Sequence, residues 1–524
     1  MTRTAIASRY ALPTTRAVIL ERVQLADLAA GVQGARVLAG PSRDVERVVH
    51  DSRGAGPRDL FVAVRGHHVD GHRFVPQALA QGAAVAVEDA TGLPEGAEGL
   101  HVDSGREALA ELAAELEGRP ARRLLVAGVT GTDGKTTVTH LVAHVLTSAG
   151  LPAGFLSTVA TDSGAGDAAN ASGLTSREAP ETQAALAEML RSGRRAAVIE
   201  ASSHALTQAR VAACEFDVVG FTHIGRDHLE YHHTWEEYAA AKARLIDLCR
   251  DGADKGVPKT AVLNRDDGSY ALLAQRPISR RRCYTLEGGA EGCLRAEGLE
   301  PEAGGTRFRL VHGEAEEPVW LALPARFNVS NALCAAGICL GLGLDLKAVA
   351  EGLRTFRGVP GRLERVELGQ PFRVFIDYAH ASGSLASSLA AVRGVTTGRL
   401  LAVFGCSARS DGHDPAGMGR AAAEGADWFC ITTDDPVDTD PAELAREVEA
   451  GAEAAGRSPC EGYEVEPRRG AAIRRALALA RDGDAVLLAG KGHERSMILA
   501  HGLTEPWDER GEATAALREL GWGD

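Results

Sequence analysis

The hydrophobic positions fall into short, dense runs separated by longer stretches with helical spacing. Residues 124–129, Leu-Leu-Val-Ala-Gly-Val, are apolar throughout, which predicts a strand buried on both faces of a parallel sheet. Similar runs at 196–200, 218–222 and 260–263 alternate with helical stretches, and this rhythm predicts βαβ units. The pattern breaks at Gly358-Val359-Pro360-Gly361 and restarts with strands at 373–377, 400–404, 428–432 and 485–489, a further α/β domain. Ahead of both, β-like runs at 59–64 and 83–87 flank a helical stretch over 74–81. An amphipathic segment at 106–117 then ends at Gly118-Arg119-Pro120, a plausible connector. The reading is an α/β chain of three domains, bounded at 1–104, 105–358 and 359–524, with residues 162–171 as a mobile loop.

Composition narrows the partners. At 524 residues the chain is too long for one core. Lys plus Arg total 57 against 71 Asp plus Glu, a net charge of −14, so no overall pull towards nucleic acid or anionic lipid is expected. Phosphate, if bound, needs a local device. No apolar run of membrane-spanning length is present, so no membrane partner is expected. The nine cysteines show no CxxC pair and read as reduced thiols of a cytoplasmic protein.

The local device is Gly128-Val-Thr-Gly131-Thr132-Asp133-Gly134-Lys135-Thr136-Thr137, set between a predicted strand and a predicted helix. Glycines let backbone N–H groups turn inward as an anion nest, and the helix N-terminus adds its positive end. Lys135 then reaches the terminal phosphates and the Thr136 hydroxyl holds Mg²⁺. Five residues, not the usual four, separate Gly128 from Gly134. Glu200 closes a predicted strand, at the sheet edge where a carboxylate meets phosphate-bound Mg²⁺. Downstream lie Asp227-His228-Leu-Glu-Tyr231-His-His and Tyr238-Ala-Ala-Ala-Lys242. Taken alone, the His-rich block is either a zinc site or a solvated polar loop, and Lys242 can equally be an exposed helical lysine.

These blocks together resemble the Mur ligases, a family whose nucleotide loop has the same spacing. The resemblance implies a small N-terminal UDP-binding α/β domain, a central P-loop ATPase-like parallel-sheet domain and a C-terminal Rossmann-like domain. It implies that Glu200 and His228 bind magnesium and that Lys242 is carbamylated, supplying hard oxygens that an amine lacks. Catalytic residues are then Lys135, Glu200, His228 and Lys242, and the metal ligands Thr136, Glu200, His228 and the Lys242 carbamate. ATP would meet Gly131, Thr132, Asp133, Gly134, Lys135, Thr136 and Thr137, with Asn331 of Phe327-Asn328-Val-Ser-Asn331 near the adenine. Arg362 of Gly361-Arg-Leu-Glu364, and Asp377 and His380 of Asp377-Tyr-Ala-His380, complete that set.

The first domain resembles the UDP-binding module of the branch that extends UDP-N-acetylmuramoyl-L-alanyl-D-glutamate, with His50, Ser52 and His67 at the uridine diphosphate end. Ser202, Gln208 and Arg210 match residues holding the sugar–dipeptide and its D-glutamate carboxylate. Thr175 and Ser176 belong to that set, although Leu174-Thr175-Ser176-Arg177 replaces the family's usual Asn-Thr-Thr-Pro. The incoming amino acid would meet Ser410, Asp434, Asp435, Pro436, Val437, Gly490 and Glu494. Diaminopimelate-adding relatives carry Arg where this chain has Val437, and their gripping Arg is Ser410 here. An acidic pair without its Arg suits a cationic side chain. The implied reaction activates the acceptor carboxylate as an acyl phosphate, releases ADP, and forms an amide, for peptidoglycan synthesis and so cell shape and division. A monomer is expected. Alternatives are a paralogue with another amino acid or acceptor in specialised metabolism, and a nucleotide-binding protein that no longer catalyses.

Overall fold

The computed structural model describes residues 23–66, 69–164, 166–170, 174–288, 292–302, 304–408, 414–459 and 462–523. Strands Arg47–Val49, Asp59–Val62, Ala84–Val87 and Gly99–His101 run parallel in the first sheet, with Arg36–Ala39 antiparallel at its edge. Helix Gly105–Leu116 is capped by Ser104, whose hydroxyl accepts from the Glu107 N–H. Its Leu109, Leu112 and Leu116 pack into the core of this first sheet, together with Ala179 and Ala213 of the next domain. This helix therefore packs on the first sheet.

The central sheet is built on Leu125–Thr130, buried at all six positions as its unbroken apolar run predicts. It pairs in parallel with Ala196–Glu200 on one side and Val218–Phe221 on the other. The chain leaves Leu125–Thr130 for Ala153–Leu156 on one flank, returns through Ala196–Glu200, and crosses to Val218–Phe221. The crevice where strand order reverses lies at the carboxyl ends of these strands, the place where open parallel sheets bind ligands. At the opposite, amino-terminal edge the register is pinned by Asp217, fully buried, which accepts from the Val126 N–H at 2.8 Å. Its carboxylate also lies 2.7 Å from Lys255 Nζ and 3.1 Å from Lys259 Nζ.

Two expectations change. Residues 162–171, read as a mobile loop, contribute to an antiparallel hairpin of Ala160–Asp162 and Asp167–Ala169 on the sheet edge. Asp162 is tied there by Arg194 NH2 at 2.8 and 2.7 Å; the Gly, Ala and Asp composition hides this strand pairing. Cys283 and Cys293 form a disulfide, contrary to the all-thiol reading. The Tyr284–Leu294 register of two neighbouring strands brings them together without any CxxC spacing. Beyond them the sheet continues through the antiparallel strands Leu294–Glu302, Gly305–His312 and Ala315–Leu321.

The last domain is a sheet with parallel strands in spatial order Arg373–Asp377, Ala485–Ala489, Leu400–Phe404, Trp428–Ile431 and Tyr463–Val465, with Glu364–Arg365 antiparallel at the first edge, flanked by helices. No helix among the described residues is long and apolar enough to cross a membrane.

Removing the Asp217 carboxylate leaves two buried ammonium groups facing each other. Asp217→Ala should destabilise the central domain by about 3–5 kcal/mol, read as faster exchange of the Leu125–Thr130 amides in native-state hydrogen exchange. Unchanged protection would refute this role.

Candidate active site

The phosphate loop needs its glycines for more than the turn. Gly131 and Gly134 both have positive φ, +154° and +81°. A Cβ on Gly134 would fall 2.3 Å from Asn331 Oδ1, and one on Gly131 would fall 1.8 Å from Thr222 Oγ1. Asn331, expected near the nucleotide, is thus brought against the loop from helix Arg326–Gly341. Thr222 Oγ1 donates to the Asp133 carbonyl at 2.5 Å, and the Thr132 N–H donates to the His223 carbonyl at 2.5 Å. The Thr132 hydroxyl accepts from the Gly225 N–H at 3.0 Å and pairs with the Tyr238 hydroxyl at 2.9 Å. Lys135 Nζ folds back on its own loop, donating to the carbonyls of Gly131 at 3.0 Å and Thr132 at 2.8 Å. Thr136 and Thr137 are buried in the first turn of helix Lys135–Ser148.

Glu200 is fully buried and accepts from Thr158, N–H at 3.2 Å and hydroxyl at 2.9 Å. Burial pushes its carboxyl up, with Lys135 and the Thr158 bonds opposing. Lys242 lies inside helix Trp235–Asp251 and is 1% exposed, which excludes the surface-lysine alternative. Its Nζ donates to the same Gly131 carbonyl at 2.8 Å and sits 4.4 Å from the Tyr238 ring centroid. Burial first, and the Lys135 charge second, hold the Lys242 ammonium well below the usual lysine range. Burial likewise lowers Lys135, against Glu200. His228 opens the short turn Leu229–His232 at φ +52° with its side chain partly exposed. Its ring stands edge-on to His204 at 4.8 Å and lies 6.4 Å from the Tyr238 ring.

Among the described residues, three His, Cys, Asp or Glu ligand atoms do not gather around His228, so the zinc alternative finds no support. The donors present do fit a hard cation beside phosphate: a buried carboxylate and a buried threonine hydroxyl at the sheet's carboxyl edge. Lys242 as an amine is a donor and fits only if modified.

At the presumed acceptor end, Ser176 Oγ donates to the Glu200 carbonyl at 2.8 Å and to Ser202 Oγ at 3.3 Å. Ser202 caps the turn Ser203–Thr207, and Thr175 is half-buried beside Ser176. Gln208 Nε2 donates to the Tyr231 hydroxyl at 3.4 Å. Arg210 is held by the protein: NH2 donates to Gln208 Oε1 at 2.7 Å, NH1 donates to the Ser176 carbonyl at 3.2 Å, and Nε lies 2.9 Å from Glu178 Oε1 but is buried without a hydrogen-bond partner. In the first domain His50 is exposed, while Ser52 is buried and donates to Gln77 Oε1 at 3.1 Å. His67 and Ser410 lie outside the described residues.

The last domain reaches the loop through Arg362, whose charge acts on both Lys135 and Glu200. Its guanidinium lies 4.9 Å from the Tyr378 ring centroid, and its Nε is buried without a hydrogen-bond partner. Asp377, expected at the nucleotide, instead accepts from the Leu363 and Ala379 N–H groups and from the Ser388 hydroxyl at 2.7, 3.0 and 2.9 Å. His380 is exposed, with Nδ1 2.8 Å from the Tyr378 carbonyl.

The acidic pair carries a buried lysine of its own. Lys491, with no exposed surface, places Nζ 2.8 Å from Asp435 Oδ1, 2.6 Å from Glu494 Oε2 and 3.7 Å from Asp434 Oδ1. Asp434 Oδ2 is buried without a hydrogen-bond partner, and a Cβ on Gly490 would fall 2.2 Å from it. Burial raises the Asp434 carboxyl, against Arg469 and Lys491. Pro436 is buried and Val437 holds φ +53°, a strained setting for a β-branched residue. Sequence reading missed Thr158, Thr222, Tyr238 and Lys491. Tyr238 sits in a quoted motif and Lys491 between the named Gly490 and Glu494, whereas Thr158 has no signal, lying 42 positions before Glu200.

This is the geometry of an enzyme that handles a nucleoside triphosphate at a sheet switch point. The chain belongs to the Mur ligase family, whose members form amide bonds at the expense of ATP: the Mur ligase middle domain matches residues 129–339, the Mur ligase glutamate ligase domain 361–492, and the Mur ligase family catalytic domain 44–116. It is 42% identical over 493 residues to the UDP-N-acetylmuramyl-tripeptide synthetase of Roseiflexus sp., covering 92% of this chain and 96% of that one. It is 37% identical over 500 residues to the UDP-N-acetylmuramoyl-L-alanyl-D-glutamate–2,6-diaminopimelate ligase of Geobacillus thermodenitrificans, covering 95% and 100%. A solved diaminopimelate ligase of the same description superposes with a TM-score of 0.68 at 27% identity, covering 96% of this chain and all of that one.

Gly134→Ala should lower ADP affinity at least tenfold in a titration with a fluorescent ADP analogue, because its Cβ displaces Asn331. Retained affinity would show that the close approach is dispensable.

Proposed function

We propose that this chain joins an amino acid to the D-glutamate of UDP-N-acetylmuramoyl-L-alanyl-D-glutamate, in the cytoplasm, for peptidoglycan synthesis. The observation that carries the reading is the convergence of Lys135 and Lys242 on the Gly131 carbonyl, at the sheet edge that Glu200 also ends. The acceptor carboxylate attacks the γ-phosphorus of ATP, ADP leaves, and an acyl phosphate forms. The amine of the incoming amino acid then attacks the carbonyl carbon, phosphate leaves, and an amide remains after loss of a proton. Lys135 leaves its own loop carbonyls to meet the transferring phosphoryl group, where a preorganised cation counts most. Magnesium, when bound by Thr136, Glu200, His228 and a Lys242 carbamate, would neutralise charge on the same phosphoryl oxygens. The enclosed site of Lys242, against Tyr238 and beside a second ammonium, favours the neutral amine that captures carbon dioxide.

At the amino-acid site, three carboxylates, those of Asp434, Asp435 and Glu494, surround the Lys491 ammonium, with the Arg469 guanidinium, itself paired with Glu509, acting on Asp434 as well. With Val437 in place of an arginine, a side chain ending in a cation suits this site better than one ending in a carboxylate. A second reading, a ligase for a different acceptor, is favoured by Leu174, which removes the asparagine that related chains carry there.

Phosphate release from ATP with the UDP-muramoyl dipeptide and a panel of amino acids tests both readings. Release with that acceptor and a basic amino acid is expected; release only with another acceptor would favour the second reading, and silence throughout would overturn both. Lys242→Ala should reduce turnover at least a hundredfold, equivalent to about 3 kcal/mol of transition-state stabilisation, with partial rescue by short carboxylates. Undiminished turnover would remove the carbamate. Val437→Arg should shift selectivity towards diaminopimelate by about tenfold or more in kcat/KM, as a new carboxylate partner does; no shift would exclude Val437 from specificity.

A further inference from the structure

Behind the amino-acid site lies a buried guanidinium that takes no part in the proposed reaction. Arg469 is the first residue of helix Arg469–Leu479, and its side chain is 1% exposed. Its partner Glu509 opens the last helix, Glu509–Glu519, and is fully buried. The pair is bidentate: Nε donates to Glu509 Oε2 at 2.9 Å and NH2 to Oε1 at 2.7 Å. Trp507 Nε1 also donates to Oε2, at 2.7 Å. The same guanidinium donates to the carbonyls of Ala489 at 2.7 Å and Thr433 at 3.5 Å. Ala489 immediately precedes Gly490, and Thr433 immediately precedes Asp434. Their strands, Ala485–Ala489 and Trp428–Ile431, are not neighbours, because Leu400–Phe404 runs between them. Arg469 thus ties together the starts of two amino-acid loops that the sheet alone does not join.

A buried ion pair contributes little net stability, since desolvation offsets most of the attraction. What sets this one apart is the carboxylate it faces. A Cβ on Gly490 would fall 2.2 Å from Asp434 Oδ2 and 3.8 Å from Arg469 NH1, so the guanidinium and that carboxylate flank one glycine. Lys491 is drawn closer to other anions, 2.6 Å from Glu494 and 2.8 Å from Asp435 against 3.7 Å from Asp434. Four carboxylates, counting Glu509, therefore share two cations. Burial pushes the Asp434 carboxyl up and Asp435 and Glu494 add to it, while Arg469 first and Lys491 second hold it down. The neighbouring Cys406 brings no charge, its thiol pushed up to about 12 by burial first and Asp434 second.

We propose that Arg469 is a positioning residue for the incoming amino acid: its charge keeps Asp434 an anion able to receive a cationic side chain. The proposal rests on the reading of this site as one for a basic amino acid.

The test follows the KM for lysine and the inhibition constant of norleucine, its uncharged isostere, against pH. It uses the full-length protein with ATP and the UDP-muramoyl dipeptide. As pH falls, Asp434 takes a proton and the KM for lysine rises relative to the norleucine constant. In Arg469→Met/Glu509→Gln, which removes both charges of the pair, that rise should begin at higher pH. On the acid side the relative KM should then stand roughly tenfold above wild type, as a displacement of one pH unit gives. Glu509→Gln alone keeps an accepting oxygen and leaves the Arg469 charge uncancelled, so it should move the rise to lower pH. Arg469→Lys, which keeps the charge, should leave the rise near its wild-type position. Loosened loops alone would weaken lysine and norleucine together at every pH and leave the rise where it was, and that result would overturn the proposal. So would Glu509→Gln moving the rise upwards or not at all, a test that stands even if the double variant does not fold. A wild type that binds norleucine as tightly as lysine would instead bring down the basic-amino-acid reading, whatever Arg469 does.

Discussion

The Gly131 carbonyl accepts from two lysines, the half-buried Lys135 and the buried Lys242. Two ammonium groups that close, in low dielectric, repel strongly unless anions balance them or one gives up its charge. Glu200, Asp133 and Asp227 supply part of the balance for Lys135. The rest must come from phosphates or from modification of Lys242. Much of the surrounding geometry keeps this arrangement in place. Tyr238 joins the Thr132 hydroxyl to the Lys242 ammonium, Thr222 and His223 hold the loop backbone, and Asp217 fixes the register of the strand that delivers it.

The last domain meets this centre through backbone as much as side chains. A Cβ on Gly361, at φ +68°, would fall 2.3 Å from the His493 nitrogen, so the turn bearing Arg362 lies directly on the Gly490–Glu494 loop. That loop brings Lys491 to Asp435 and Glu494. The opposing loop keeps Val437 in the left-handed region, and strand Ser496–Ile498 secures it: the Ile498 N–H donates to Asp435 Oδ1 at 2.8 Å and the Met497 sulfur accepts from the Asp435 N–H at 3.2 Å. A strained loop braced this way persists only because its neighbours over-determine it. The arrangement packs the turn bearing Arg362 against the amino-acid site.

The elements with the strongest local signals stand where their pattern puts them. Leu125–Thr130 is legible because a strand covered on both faces must be apolar at every position, and the loop after it because glycines before a Gly-Lys-Thr-Thr helix start have few other uses. Glu200 is legible as a carboxylate ending such a strand. The hairpin at 160–169 was hidden, since its pairing depends on an adjacent edge and on Arg194, not on its own small residues. The Cys283–Cys293 pair was hidden because parallel register, not spacing, makes them neighbours.

By itself the sequence determined the succession of α/β units, the chemistry of the phosphate loop and the identity of the groups able to carry phosphoryl transfer, because each is written in residues close along the chain. Tertiary structure alone decided which of those groups are already satisfied. Asp377 accepts from three protein donors, Arg210 donates to Gln208 and Ser176, and the acidic pair has its own buried lysine. Hydrogen-bond satisfaction and desolvation are sums over neighbours brought together from distant parts of the chain, and no local pattern encodes such a sum.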